Sequence, residues 1–161
     1  QGGDTINHYD FSGNIDFKEG PTKHEPGTLN IAGILGLGVA AEYIKWVGYN
    51  EITRHMNKVD LALSDAGLFD IKGLKLIYPN YRQNGRYVYS FVCDGYHPSD
   101  LSAMVSLEGI AVRAGKLCAH PIVNKLSGGK GVIRVSPGMY TETEDINKLV
   151  EGLCKAVKRI S

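Results

Sequence analysis

One cysteine in a short loop carries the clearest chemical signal of this 161-residue chain. Cys118 stands two residues after Lys116, two residues before His120 and five residues after Arg113, in a segment that also contains Gly115. A cysteine reacts as its thiolate, and nearby positive charge favours that ionised form. The segment therefore has the residue types of a nucleophile with its activating cations, although a cysteine that merely lies in a loop would show the same pattern.

The other two cysteines have a different setting. Cys93 and Cys154 lie in apolar, periodic stretches, which predicts packed positions. Three widely separated cysteines form a poor disulfide framework, so we expect a reducing compartment. The pairs Cys118 with His120 and Cys93 with His97 each offer two ligands, which is too few for a structural zinc site. We therefore expect no metal site.

Two arginines are candidates for binding a carboxylate. Arg134 interrupts the apolar strand pattern of residues 132–135, and Arg113 ends the strand predicted at residues 110–113. A guanidinium group can bind both oxygens of a carboxylate, for which lysine is less suited. A strand arginine that points to solvent would show the same pattern, so the residues alone leave both interpretations open.

Residues 25–30 precede a predicted helix and form a candidate phosphate site. Backbone N–H groups and the Thr28 hydroxyl could hold a phosphate there, but a plain helix cap explains the same residues, and the residues alone favour the cap. The glycine-rich stretches at residues 33–38 and 127–131 do not follow a phosphate-binding order. We expect close backbone packing at the first of them and a turn at the second.

Length and composition are typical of one soluble globular domain, with 43% hydrophobic and 22% charged residues. The formal net charge is +1, so neither nucleic acid nor an acidic membrane is an expected partner. We see no apolar run of membrane-spanning length and no signal peptide, so a location in the cytoplasm or an organelle matrix is expected. The chain begins at Gln1, which suggests a fragment or a processed product.

The hydrophobic pattern predicts alternating groups of helices and strands after an extended lead-in at residues 1–28. Helices are predicted at residues 30–48, 49–64 and 98–107, briefly after Pro121, and from a capping box of Thr141 and Glu144 onward. Strands are predicted at residues 74–78, 87–92, 110–113 and 131–135, with a polar loop at residues 80–86. Residues 29–161 are thus predicted to form an α+β two-layer domain, in which helices cover a small, mostly antiparallel sheet.

Taken together, these segments resemble the C-terminal small domain of the cysteine desulfurases and selenocysteine lyases, within the class V aminotransferases. Four motifs of the family have counterparts in this chain, in the same order. They are Glu-Ala-Gly-Thr-Pro-Asn, a helix start, Gly-Ile-Ala-Val-Arg-x-Gly-x-x-Cys-Ala-x-Pro and Arg-x-Ser. These counterparts are residues 25–30, 97–100, 109–121 and 134–136. Lys116 and Leu117 stand where the family commonly has two histidines.

The resemblance implies a pyridoxal-phosphate enzyme of fold type I that converts L-cysteine to L-alanine. It implies that Cys118 attacks the substrate sulfur and becomes a persulfide. Arg134 would hold the substrate carboxylate, with Arg113 close by. Gly27 and Thr28 would approach the cofactor phosphate of the partner subunit.

The resemblance also implies a homodimer and a large domain that precedes this chain. The Schiff-base lysine of the family would lie in that large domain, so the chain alone is expected to be inactive. A sulfur-acceptor protein would take the persulfide sulfur, and iron–sulfur cluster assembly is one expected use. Two alternatives remain: a related class V aminotransferase or lyase with another substrate, and a non-catalytic domain that binds a sulfur-acceptor protein.

Overall fold

The computed structural model describes residues 3–77 and 87–160, and it divides into two compact units. The units are Gln1–Gly48 and Tyr49–Ser161. The first long helix thus belongs with the N-terminal unit, whereas the sequence pattern predicted a division after residue 28. The assignment of residues 1–28 to a lead-in from a large domain stays a prediction. Tyr78 and the polar loop predicted at residues 80–86 lie outside the described residues.

The N-terminal unit begins with a hairpin that the sequence pattern did not predict. Its strands β1 (Ile6–Tyr9) and β2 (Ile15–Phe17) pair antiparallel, with an irregular register between Ile6 and His8. The carboxylate of Asp10 closes the turn, since its Oδ1 accepts hydrogen bonds at 2.9 Å from the N–H groups of Ser12 and Asn14. Such an Asx-type turn stabilises a connection between strands that are too short to show alternation.

Helix α1 (Ile31–Val47) confirms the helix predicted at residues 30–48. The Oδ1 atom of Asn30 caps it by accepting a hydrogen bond from the Gly33 N–H at 3.0 Å. None of its side chains is buried. Apart from the neighbouring residues and the helix's own backbone, no described atom lies within 4 Å of a Cβ built at Gly36 or Gly38, so this structure does not contain the close packing expected for these glycines.

The C-terminal unit is an α+β domain, which confirms the predicted fold class. Four antiparallel strands form one sheet in the order β3-β4-β6-β5. Its elements are α2 (Tyr49–Asp65), β3 (Leu74–Leu76), β4 (Tyr89–Cys93), α3 (Pro98–Leu107), β5 (Arg113–Gly115), α4 (His120–Ser127), β6 (Val132–Val135) and α5 (Thr143–Ile160). Pro98 occupies the first turn of α3, as predicted for a residue that lacks an N–H.

The hydrophobic core lies against one face of this sheet. Alternation along β4 turns Tyr89, Phe91 and Cys93 inward, and two of them pair across to Val135 and Ile133 of β6. Apolar side chains of α2, α3 and α5 complete the core. Because strand side chains alternate, the residues between these core positions face the opposite side of the sheet, where the candidate site lies.

The strand predicted at residues 110–113 was placed too early. The N–H of Ile110 donates to the carbonyl of Val105 at 3.1 Å, so the chain is still leaving α3 at that point. Strand β5 begins at Arg113, because its pairing with β6 runs from Arg113 to Gly115. The partner strand, and not the local run of apolar residues, decides where this short strand starts.

The predicted capping box of Thr141 and Glu144 was also wrong. The N–H of Glu142 donates to Asp145 Oδ2 at 3.0 Å, so these two residues cap α5. The hydroxyl of Thr141 instead accepts from the N–H of Gly138 at 2.9 Å, within the preceding turn.

A buried hydrogen bond joins the sheet to α2, and we expect its removal to destabilise the domain. The Tyr89 hydroxyl donates to Asp60 Oδ1 at 2.8 Å, and both residues are buried. Tyr89→Phe should lower the free energy of unfolding by about 1–3 kcal/mol, since a buried acceptor loses a donor. Tyr87→Phe is the matched control, because its hydroxyl donates to exposed Asn57 at the same distance. Equal losses in urea unfolding of the two variants would contradict this prediction.

Among the described residues, no single helix is long and apolar enough to cross a membrane. Within the same residues, α1 and α2 taken together meet such a criterion, on length and composition alone.

Candidate active site

Two arginines face each other across neighbouring strands on the side of the sheet opposite the core. Arg113 of β5 pairs directly with Arg134 of β6, and Ser90 of β4 flanks Arg134 on its other side. Like charges directly opposite each other destabilise a strand pair. Such an arrangement attracts an anion that can bridge the two guanidinium groups.

Arg134 has a donor for which no described residue supplies an acceptor. Its Nε atom is buried, and within residues 3–77 and 87–160 it has no hydrogen-bond acceptor. Leaving a buried charged donor unsatisfied costs free energy, so such groups in native proteins call for an explanation. A carboxylate bound from outside the chain would satisfy this donor and relieve the repulsion from Arg113.

The candidate nucleophile lies beside this arginine pair. Cys118 is exposed, and its sulfur lies 4.0 Å from Nη2 of Arg113. A guanidinium group at this distance can balance negative charge on the sulfur. The structure therefore brings together Arg113, Arg134 and Cys118, the three residues to which the sequence assigned substrate binding and nucleophilic attack.

Lys116 makes its hydrogen bonds to groups other than the thiol. Its Nζ donates to the side-chain oxygen of Asn124 and to the carbonyl oxygen of Gly129, at the end of α4. The cation next to Cys118 is therefore Arg113. The sequence contained no signal for Asn124 or Gly129, because a long flexible side chain can reach many partners and its direction depends on the fold.

The loop that holds the cysteine has an uncommon backbone. Leu117 and Cys118 have φ angles of 55° and 59°, in the left-handed region that non-glycine residues seldom adopt. The N–H of Ala119 donates to the carbonyl of Lys116 at 2.9 Å and closes the turn, and α4 begins at the next residue. Two consecutive left-handed residues cost about 1–2 kcal/mol each, so surrounding contacts must hold this conformation.

A close approach of two backbones fixes the start of the loop. A Cβ added to Gly131 would lie 3.0 Å from the Cα of Gly115 and 3.1 Å from its carbonyl carbon and oxygen. Gly131 is buried and has a φ of 94°. The last residue of β5 therefore packs directly against the residue before β6, which keeps Arg113 in register with Arg134.

We expect Gly131→Ala to destabilise the domain more than Gly129→Ala does. Both glycines have a φ near 90°, at 94° and 89°, but a Cβ at Gly129 would meet nothing within 4 Å. Both variants carry the same backbone strain at positive φ. Gly131→Ala should lower the free energy of unfolding by about 1–3 kcal/mol more, because the Gly115 backbone must move. Urea unfolding measures this difference. Equal losses would mean that the close approach between β5 and β6 is unimportant.

The remaining cysteines are poor nucleophile candidates. All three cysteines of the chain lie in the described ranges, and Cys118 alone among them is exposed. Burial raises the pKa of the Cys93 thiol to about 11, so Cys93 stays protonated at neutral pH. Cys154 is half-buried and packs against the hydrophobic core, as the sequence pattern predicted.

The histidines near the cysteines have separate places. Nδ1 of His97 accepts the Ser99 N–H at 3.2 Å and caps α3, and His120 is the exposed first residue of α4. In the ranges that the structure covers, no group of three or more His, Cys, Asp or Glu side chains is placed to hold a metal ion.

The candidate phosphate site belongs to the N-terminal unit. The N–H of Gly27 donates to the carbonyl of Gly3 at 2.7 Å, so it is already engaged. Thr28 is exposed, three residues before α1 begins. A hydroxyl at the N-terminus of a 17-residue helix is suited to contact an anion.

Comparison with known proteins identifies the family. The family model described as Aminotransferase class-V matches residues 1–149. The chain belongs to the class-V aminotransferase family. Two curated proteins of similar sequence are cysteine desulfurases by name. A probable cysteine desulfurase of Xylella fastidiosa is 34% identical to this chain over 157 residues, and a cysteine desulfurase of Synechococcus elongatus is 35% identical to it over 159 residues. These alignments cover 98% and 99% of this class-V chain, but only 36% and 24% of the relatives.

Solved structures of cysteine desulfurases share the fold of this class-V chain. The cysteine desulfurase CsdA of Escherichia coli matches with a TM-score of 0.77 and 28% identity, over 99% of this chain and 38% of that protein. The apo cysteine desulfurase of Thermococcus onnurineus matches with a TM-score of 0.76 and 30% identity, over 99% of this chain and 39% of that protein. The α+β fold is therefore that of a segment of a fold-type I protein.

Proposed function

We propose that this chain is the C-terminal part of a pyridoxal-phosphate-dependent cysteine desulfurase, which converts L-cysteine to L-alanine and leaves a persulfide on Cys118. One observation carries the proposal: exposed Cys118 has its sulfur 4.0 Å from Arg113, which pairs across the sheet with Arg134, and the buried Nε of Arg134 has no acceptor among the described residues. This combination suits an amino-acid substrate that has both a carboxylate and a sulfur atom.

Arg134 binds the substrate carboxylate in this scheme. Its buried Nε and terminal nitrogens offer a planar set of donors that fits two carboxylate oxygens. Arg113, directly opposite, adds a second positive charge, and its Nη2 also lies near the sulfur of Cys118. The two arginines therefore fix the substrate by its carboxylate and direct its side chain toward the cysteine.

Cys118 then receives the sulfur atom. Its thiolate attacks the sulfur of L-cysteine, a sulfur–sulfur bond forms, and the carbon–sulfur bond of the substrate breaks. The substrate carbon takes up a proton, so that L-cysteine and one enzyme thiol yield L-alanine and one enzyme persulfide. Covalent capture divides sulfur transfer into two easier steps.

The residues of this chain fit a contact with the cofactor phosphate but not the whole cofactor site. Exposed Thr28, three residues before α1, has a hydroxyl that can donate to a phosphate, whereas the Gly27 N–H is held by the carbonyl of Gly3. We propose that Thr28 makes this contact in the partner subunit of a homodimer, and that Gly27 supplies the turn before it. Pyridoxal phosphate, when bound, supplies the electron sink that this carbon–sulfur cleavage needs.

We further propose that the persulfide passes to a sulfur-acceptor protein. Cys118 is exposed at the surface of this unit, where a second thiol can reach its outer sulfur. Iron–sulfur cluster assembly is one process that consumes sulfur in this form.

The direct test is a single-turnover reaction of the natural full-length protein with L-cysteine. We expect equal amounts of L-alanine and protein persulfide, with the added sulfur located on the peptide that contains Cys118 by mass spectrometry. Cys93 and Cys154 provide internal controls and should gain no sulfur. Formation of a keto acid without any persulfide would contradict the proposal and favour a related class V aminotransferase.

A further inference from the structure

Lys116 is placed to hold the cysteine loop in position. Its Nζ donates to the Asn124 side chain and to the Gly129 carbonyl, so it joins the loop to the last turn of α4 and to the segment before β6. The Lys116 carbonyl in turn accepts the Ala119 N–H. Lys116 therefore bonds through its carbonyl to the residue after the left-handed pair Leu117–Cys118, and through its side chain to α4 and the segment that follows it.

The segment that Lys116 contacts is itself well anchored. The buried hydroxyl of Ser127 donates to the Val123 carbonyl at 2.7 Å and accepts the Gly131 N–H at 3.0 Å. These bonds join the end of α4 to the start of β6. The N–H groups of Gly128 and Gly129 both donate to the Asn124 carbonyl.

The end of α4 is also a favourable place for a cation. The last carbonyl groups of a helix carry partial negative charge, which favours a lysine beside the last turn. The charge of Lys116 is thus used in anchoring the loop. The charged side chain that contacts the Cys118 sulfur is Arg113, whose Nη2 lies 4.0 Å away.

We propose that Lys116 is a positioning residue for sulfur transfer, which keeps Leu117 and Cys118 in the left-handed conformation and the Cys118 sulfur beside Arg113. This inference rests on the proposed function of Cys118. Without the tether, two residues in a costly backbone conformation relax toward ordinary φ values. The Cys118 sulfur then moves away from Arg113, whereas Arg134 keeps its position and can still bind the substrate carboxylate.

The test compares Lys116→Met with Lys116→Arg in the full-length protein loaded with pyridoxal phosphate. Lys116→Met should lower kcat for persulfide formation roughly tenfold, because small displacements of a reacting group are costly. The KM for L-cysteine should stay unchanged. Amide hydrogen exchange at residues 117–119 should become faster, and Lys116→Arg should restore both exchange and kcat, since it keeps the donors and the charge.

The matched control is Lys125→Met, because Lys125 is an exposed lysine on α4, the helix whose last turn Lys116 contacts. It should behave like the wild type in both measurements. Unchanged exchange and kcat in Lys116→Met would overturn the proposal, as would equal damage from Lys116→Met and Lys116→Arg. If Lys116→Met does not fold, Asn124→Ala serves in its place, because it removes one of the two acceptors of Lys116. It should change hydrogen exchange and kcat in the same direction but by less. Wild-type exchange and kcat in Asn124→Ala would overturn the proposal.

Failure of this proposal can be told apart from failure of the proposed function. If hydrogen exchange at residues 117–119 responds to Lys116→Met but no persulfide forms on Cys118 in the wild type, the tether stands and the function is wrong. If Cys118 carries the persulfide but Lys116→Met changes nothing, the function stands and the tether is wrong.

Discussion

Cys118→Ala is expected to abolish protein persulfide and to lower the rate of alanine formation from L-cysteine by roughly a thousandfold or more, as typically follows removal of a covalent nucleophile. The reason is that no other cysteine of this chain can replace it. Cys93 is buried with a pKa raised to about 11 by that burial, and Cys154 packs against the core. The measurement is alanine release, together with mass analysis of the protein after one turnover.

This variant should leave the fold intact. Cys118 is exposed, and alanine carries the same backbone strain at a φ of 59°. The unfolding free energy should therefore change by less than about 0.5 kcal/mol, as is usual for surface substitutions. Cys154→Ala is the control and should retain persulfide formation. Full sulfur transfer to an acceptor by Cys118→Ala would remove Cys118 from the mechanism.

Arg134→Met is expected to weaken substrate binding strongly without destabilising the protein. Hydrogen bonds to charged groups contribute about 1.5–3 kcal/mol, so KM for L-cysteine should rise roughly ten- to hundredfold. The folded protein, by contrast, loses a buried Nε that has no acceptor in the described ranges and a like charge opposite Arg113. Its unfolding free energy should therefore be equal to that of the wild type or higher.

This combination separates a binding role from a structural one. If Arg134 served only the fold, Arg134→Met would lower the unfolding free energy and leave KM unchanged. Arg54→Met is the matched control, because Arg54 is an exposed arginine whose ion pair with Glu51 lies on the surface of α2. We expect it to change neither KM nor, beyond a few tenths of a kcal/mol, stability.

The two variants report on different parts of one site. Loss of Cys118 should stop sulfur capture while the carboxylate site remains, and loss of Arg134 should weaken binding while the nucleophile remains. Lys116→Met should resemble the first more than the second, because it displaces the nucleophile and leaves Arg134 in place. The pattern of KM and kcat across the three variants therefore tests the assignment of roles as a set.

Local sequence signals predicted the helices well. Helix α3 spans residues 98–107 as predicted, since its first-turn proline and the glycine at position 109, with a φ of 76°, act through the backbone of their own segment. Strand β5 was misplaced because its limits depend on pairing with β6, far along the chain. The hairpin of β1 and β2 was missed because three or four residues show no reliable alternation.

The sequence by itself determined the family, the α+β class and the candidate residues Cys118, Arg113 and Arg134, because motif order and the spacing of apolar residues are properties of the chain. Only the tertiary structure decided how these residues meet. Strand register sets Arg113 opposite Arg134 and brings Arg113 to Cys118. The Lys116 side chain bonds to the carbonyl of Gly129, thirteen residues further along. Such contacts depend on the packing of distant segments, which no local pattern encodes.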